Sequence, residues 1–278
     1  GVACGSLRDP ESSDMSRAPW ILALAVVAAP PCTAQTAWQR PPQPILDVLH
    51  APELPAIMVA PDGGSAILAR PRRYPPIADL ARPMLRLAGV RVDPQSNAIH
   101  AEGFFDDLRL LDLDGAGGER PVALPADARV SRIRWSADGR RFAFANRTAD
   151  ALELWIGDAA SGEARRVPGL RLNPVLGSEV QWTRDQRSLL VKRVPPDRGP
   201  APARPEAPAG PRVEESAGAT ASSTYEARDL LTGPHDAALF EHHALSQLAV
   251  VDADTLAIAP VGEASIISSV TISPDGRY

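Results

Sequence analysis

The chain has 278 residues, 44% hydrophobic and 23% charged, enough for one large or two ordinary globular domains. Its net charge of −5, from 29 basic and 34 acidic residues without a basic block, points away from nucleic-acid binding. The 29 prolines and 20 glycines favour turns over long helices, and the two cysteines, Cys4 and Cys32, support neither a disulfide framework nor a cysteine metal site.

Residues 1–14 precede a plausible start at Met15 and read as an upstream artefact. From Met15, MSRAPWILALAVVAAPPCTAQ carries a positive Arg17, a short apolar run over 20–29 and small residues around Cys32-Thr33-Ala34. This is the layout of a secretory signal peptide over 15–34, with no membrane span left after cleavage. It predicts an exported bacterial protein, periplasmic or extracellular.

The first strand–turn–strand phrase is MVAPDGGSAILAR, from Met58. FFDDLRLLDLDGAGGERPVAL, 104–124, is a second hairpin, turning near Asp114–Gly118. IRWSADGRRFAFAN, from Ile133, repeats the first phrase, with Asp-Gly between alternating apolar runs. In ALELWIGDAASGEARRV, Leu152, Leu154 and Ile156 alternate with Glu153, Trp155 and Gly157, a half-buried strand followed by a turn over 158–162 and a return strand. VQWTRDQRSLLVKR, from Val180, is the third copy, with Gln186 in place of the turn glycine. The segment 195–211 holds seven prolines, cannot be a central strand, and reads as an extended insertion. SQLAVVDADTLAIAPVG, 246–262, is another outer hairpin, and VTISPDGRY, from Val270, is a fourth copy that stops inside its own turn.

The anchoring aspartates are Asp62, Asp138, Asp185 and Asp275, spaced by 76, 47 and 90 residues. The middle interval is close to the ~40–45 residues of a four-stranded propeller blade. The predicted fold is therefore all-β, a partial β-propeller of four-stranded antiparallel blades over 35–278. Blades bury their faces only against one another, so a ring that stops within its fourth copy predicts a piece of a longer protein, poorly folded in isolation. A residue recurring once per blade serves the blade: Asp138 and its equivalents are expected to bond their turn backbones, and Trp135 and Trp182 to pack between blades.

QPILDVLHAPELPAIMVAPDGG, RYPPIADLARPMLRLAGVRVDPQSN, RWSADGRRFAF, LWIGDAASGEARRV, LNPVLGSEVQWTRDQRSLLVKRVPPDRGP and DLLTGPHDAALFEHHALSQLAVVD, in this order, resemble the N-terminal propeller of glutamyl endopeptidase-like serine peptidases of the prolyl oligopeptidase family. The resemblance runs from about Pro44 to Tyr278. It implies a seven-bladed propeller joined to a C-terminal α/β-hydrolase domain with a Ser-Asp-His triad, cutting peptides after glutamate, the propeller gating access. The partners so implied are peptide substrates and that intramolecular hydrolase domain.

No G-x-S-x-G elbow occurs in the 278 residues, so no catalytic residue is assigned; Ser65 follows Gly63-Gly64 in a turn without the second glycine. The competing reading is a non-enzymatic, TolB-like propeller that binds protein partners. An enzyme selecting glutamate needs a cation for the carboxylate, and Arg70, Arg72 and Arg73 are weak substrate-binding candidates against the plainer reading of a solvated rim. Glu241, His242 and His243 lack a third ligand by spacing, so neither metal nor other cofactor is expected.

Overall fold

The computed structural model describes residues 40–115, 117–177, 180–204, 229–273 and 275. The proposed leader, 1–34, and the later part of the proline-rich segment, from 205, lie outside the described residues. The chain divides into two units, Gly1–Pro52 and Glu53–Tyr278. The first contributes one short helix, α1 (Gln43–Leu49), entered through Pro42 and closed on one side by Gln43 donating to Asp47 at 2.6 Å. Proline suits the start of a helix because its missing N–H would have no partner there.

The second unit is mostly antiparallel sheet. Strands β1 (Ala56–Val59), β2 (Ser65–Pro71), β5 (Phe105–Asp112) and β6 (Arg120–Pro121) form one meander. Strands β7 (Val130–Trp135), β8 (Arg141–Arg147), β9 (Leu152–Asp158) and β10 (Ala164–Arg166) form the next. A single pair, Phe105 with Val130, links β5 to β7 and joins the two meanders into one eight-stranded sheet. A separate four-stranded sheet runs β11 (Val180–Trp182), β12 (Ser188–Arg193), β13 (Leu245–Asp252), β14 (Ile258–Ile266). The expected hairpins at 104–124 and 246–262 are thus β5–β6 and β13–β14.

Alternation along β8 explains how the meanders stack. Phe142 and Phe144, both fully buried, point into a core with Ile67, Leu108, Leu110 and Val130, shared with the first meander. Ala143 and Ala145 point the other way, into a core with Leu152, Leu154, Leu189, Val191 and Val251, shared with the third sheet. Each buried phenylalanine stabilises the fold by roughly 1.5–3 kcal/mol. Trp135, Phe142, Phe144 and Trp155 form a continuous aromatic row, with successive ring centroids 5.5, 6.2 and 6.1 Å apart. Gly157 faces that row, and a Cβ there would run into the Phe142 ring.

The tryptophans also tie one copy of the repeat to the one before it. Trp135 Nε1 donates to Met58 O at 2.9 Å, and Trp182 Nε1 donates to Arg134 O at 3.1 Å. Met58 and Arg134 occupy the same position in their copies, one residue before Val59 and Trp135. In the fourth copy Ile272 has no donor to offer. There Gln181 does the joining: its Nε2 donates to Val270 O at 2.6 Å and its Oε1 accepts from Ile272 N at 3.3 Å.

Two long connections leave from equivalent places, between the second and third strands of their meanders. Residues 72–104 contain α2 (Ile77–Leu80) and the β3 (Leu85–Leu87)–β4 (Val90–Val92) hairpin. Residues 194–244 contain the proline-rich segment and α3 (Pro234–Ala244). They are stitched together: Arg91 Nε and Nη2 bond Asp229 at 3.1 and 3.0 Å, and Arg198 Nη1 donates to Asn97 Oδ1 at 2.9 Å. Among the described residues, no helix is long and apolar enough to cross a membrane.

Candidate functional site

The repeated aspartates sit in their turns. Asp138 Oδ1 accepts from Arg140 N at 3.1 Å and from Ser136 Oγ at 2.6 Å; Asp185 Oδ1 accepts from Arg187 N at 3.1 Å and from Thr183 Oγ1 at 2.6 Å. Asp62 bonds Gly64 N at 3.1 Å, with Ala60 where the hydroxyl would be. The Ser136 and Thr183 hydroxyls hold the Asp138 and Asp185 carboxyls below the usual range, so both stay ionised and cap backbone. The residue after each aspartate has positive φ: Gly63 at 79°, Gly139 at 67° and Gln186 at 57°. Gln186 carries that cost with a compensating reach, accepting from Ala137 N in the preceding copy at 2.5 Å and donating to Thr183 O at 2.6 Å.

The three candidate arginines separate. Arg70 and Arg72, at the end of β2 and just beyond it, share Asp106, at 2.7 and 3.3 Å. Both line a hollow of about 320 Å³ with Phe104 and Arg129. Arg73 turns instead to Glu53, at 3.2 Å, and lies over the Tyr74 ring. All three side chains are about half exposed, at 54%, 51% and 49%. Such pairs add little stability, and they leave the guanidinium faces open to a further anion.

The His242–His243 pair lies in the last turn of α3. The two rings stand edge to face, and His243 is buried, with its Nδ1 2.7 Å from Asn97 Oδ1. An amide oxygen only accepts, so His243 Nδ1 is the donor, and its Nε2 lone pair meets no partner among the described residues. Burial, with His242 and Arg198 beside it, pushes the imidazole down to about 4. Asn97 Nδ2 donates to Asn173 Oδ1 at 3.1 Å, and Asn173 Nδ2 donates to His243 O at 3.0 Å. This is a structural knot that pins both insertions onto the third sheet. Among the described residues no group of three or more His, Cys, Asp or Glu could hold a metal ion. The sequence reading missed this knot: Asn97, with φ of 59°, bonds partners more than 70 residues away.

No family model matches the chain. Over 259 residues, 88% of the chain, it is 34% identical to the probable chloroplastic glutamyl endopeptidase of Oryza sativa subsp. japonica, of which it covers 27%. It is 31% identical over 255 residues to the protein of the same name in Arabidopsis thaliana, covering 26% of it. Along most of its length the chain is similar to proteins named probable glutamyl endopeptidase. It spans about a quarter of the length of the curated relatives it matches. Among solved structures, acylaminoacyl peptidase of Pyrococcus horikoshii aligns with 74% of this chain and 24% of its own, at 14% identity and a TM-score of 0.35.

The expectation of an exported bacterial protein is corrected by these relatives, both of which are chloroplastic plant proteins. The expectation rested on one positive charge, a short apolar run and small residues after it. A single arginine before a short apolar run describes a kind of segment and does not carry a compartment with it.

Proposed function

We propose that the three meanders are four-stranded blades of a propeller, and that this propeller gates peptide access to a serine peptidase domain carried elsewhere in the full-length protein. Hydrolysis after glutamate is the activity proposed for the whole. The reading is carried by the similarity, along 88% of the chain, to proteins named glutamyl endopeptidase. The aspartate-capped turns and the tryptophan ties between successive copies agree with a ring built blade on blade. The chain's own residues would contribute walls, charge and spacing; acyl transfer through a serine, histidine base and oxyanion hole belongs to the other domain.

The test is hydrolysis by the full-length protein of capped peptides that differ only in glutamate or glutamine. Cleavage after glutamate, strong for short peptides and weak for folded proteins, is expected. Binding of protein partners without cleavage would instead favour a non-enzymatic propeller. Charge reversal at Arg70 and Arg72 examines the exposed pair separately: unchanged preference for glutamate removes them from recognition.

A further inference from the structure

The second meander lacks the long excursion that its neighbours carry. Its second and third strands, β8 and β9, are joined by the short connection 148–151. Beside that connection lies a hollow of about 300 Å³ lined by three arginines, Arg82, Arg129 and Arg147.

Two of the three are already matched. Arg82, from the first insertion, bonds Asp93 at 2.6 Å and Ala149 O at 2.7 Å. Arg129, just before β7, bonds Asp79 on α2 at 2.5 Å. Arg147, the last residue of β8, is only 8% exposed, and among the described residues its guanidinium has no hydrogen bond, ion pair or aromatic partner. Next to it Asn146, 4% exposed, uses Oδ1 to accept from Arg129 N at 2.9 Å, and its Nδ2 meets no partner among the described residues. Of the carboxylates on the wall, Glu153 is taken up by Arg166 and Trp155, and Asp127 is exposed.

Asp93, Asp79 and Glu102 act on Arg147 through space but are bonded to Arg82, Arg129 and Arg132. An arginine does not shed its proton at ordinary pH, so a further buried one beside carboxylates already taken is costly to the fold. Burial, then the nearby Arg129, hold Arg147 below its ordinary value against the opposing pull of Asp79 and Asp93. Packing alone would favour an apolar side chain here. We infer that the hollow is a carboxylate site, in which the Arg147 guanidinium takes an acidic side chain of a peptide as a bidentate pair and the Asn146 carboxamide supplies a second donor. The inference rests on the peptidase reading and deepens it, giving acidic peptides a contact distinct from Arg70 and Arg72, whose charges Asp106 already meets.

Glutarate serves as a non-cleavable probe, titrated calorimetrically into the full-length protein, with inorganic phosphate and a capped Ala-Gln-Ala peptide for comparison. Glutarate is expected to bind, with no competition from the glutamine peptide. Arg147→Met should weaken glutarate binding roughly tenfold or more while the Tm holds or rises. Arg147→Lys, which keeps the charge but loses the fork, should fall between and should raise KM for a glutamyl peptide without changing KM for neutral ones. Unchanged glutarate affinity in Arg147→Met overturns the site. So does a fall in its Tm of the size expected for a broken structural ion pair, or binding of phosphate without glutarate. Cleavage of glutamyl peptides with glutarate binding indifferent to residue 147 removes this site alone. Arg147-dependent glutarate binding in a protein that cleaves no peptide removes the peptidase reading and leaves the site standing.

Discussion

Acidification should loosen the knot at His243. The imidazole has a folded pKa of about 4 against an ordinary value of 6.5. The fold therefore favours the neutral ring, and this contribution to stability is complete above pH 6.5 and lost as pH falls towards 4. Between pH 7 and 5 the unfolded chain takes up a proton that the folded one refuses, which costs about 2 kcal/mol. Among the described residues the titratable or charged groups acting on the ring are His242 and Arg198, and both oppose its protonation. Urea unfolding of the full-length protein, followed by tryptophan fluorescence at pH 7 and 5, measures the loss. His243→Gln keeps a donor for Asn97 Oδ1 but cannot titrate, and should lose about 2 kcal/mol less than the wild type over that interval. Equal losses in the two proteins, or a folded His243 that titrates by NMR at 6.5 or above, would refute the reasoning.

Other substitutions probe the joints between copies. Trp135→Phe and Trp182→Phe keep an aromatic ring but lose the N–H bonds to Met58 O and Arg134 O, and each should cost about 1 kcal/mol in denaturant unfolding. Gln186→Ala keeps the strained φ of 57° and loses the bond to Ala137 N, for an expected loss of about 1–2 kcal/mol, whereas Gln186→Gly relieves the strain and should cost less. Gly157→Ala places a methyl against the Phe142 ring and should destabilise by about 1–3 kcal/mol, with the loss reversed in part by Phe142→Leu.

What could be read from the sequence was local. The period of two in Leu152, Leu154 and Ile156, and the Ser-x-Asp-Gly turn at 136–139, act within one hairpin, so they gave strands, turns and the stacking order of the copies. The tryptophans were legible as contacts between copies because they recur at a fixed offset. The insertions were less so. Asp79 meets Arg129 across 50 residues and Asp229 meets Arg91 across 138, and neither spacing leaves a trace in periodicity. Glu241, His242 and His243 prove to lie at the end of an 11-residue helix, where His243 turns inward onto Asn97. The obvious basic cluster, Arg70 to Arg73, is exposed and paired. Arg147, which makes no hydrogen bond or ion pair among the described residues, hides at the end of an apolar strand, and its surplus charge shows only once the carboxylates around it are assigned to Arg82, Arg129 and Arg132.

The alternation of short and long connections makes the meanders two-sided objects. At one set of strand ends the turns are drawn tight by Asp62, Asp138, Asp185 and Asp252, each bonded to backbone two residues on. At the other set long connections, 72–104 and 194–244, separate the second strand from the third. Length can thus change on the second side without disturbing a single strand pair, while one added residue on the first side would unseat a carboxylate and slip a hairpin. A reporter peptide or a new recognition loop belongs in the 200–204 stretch, past Arg198 and its bonds to Asn97 and His242, and none belongs beside the capped turns.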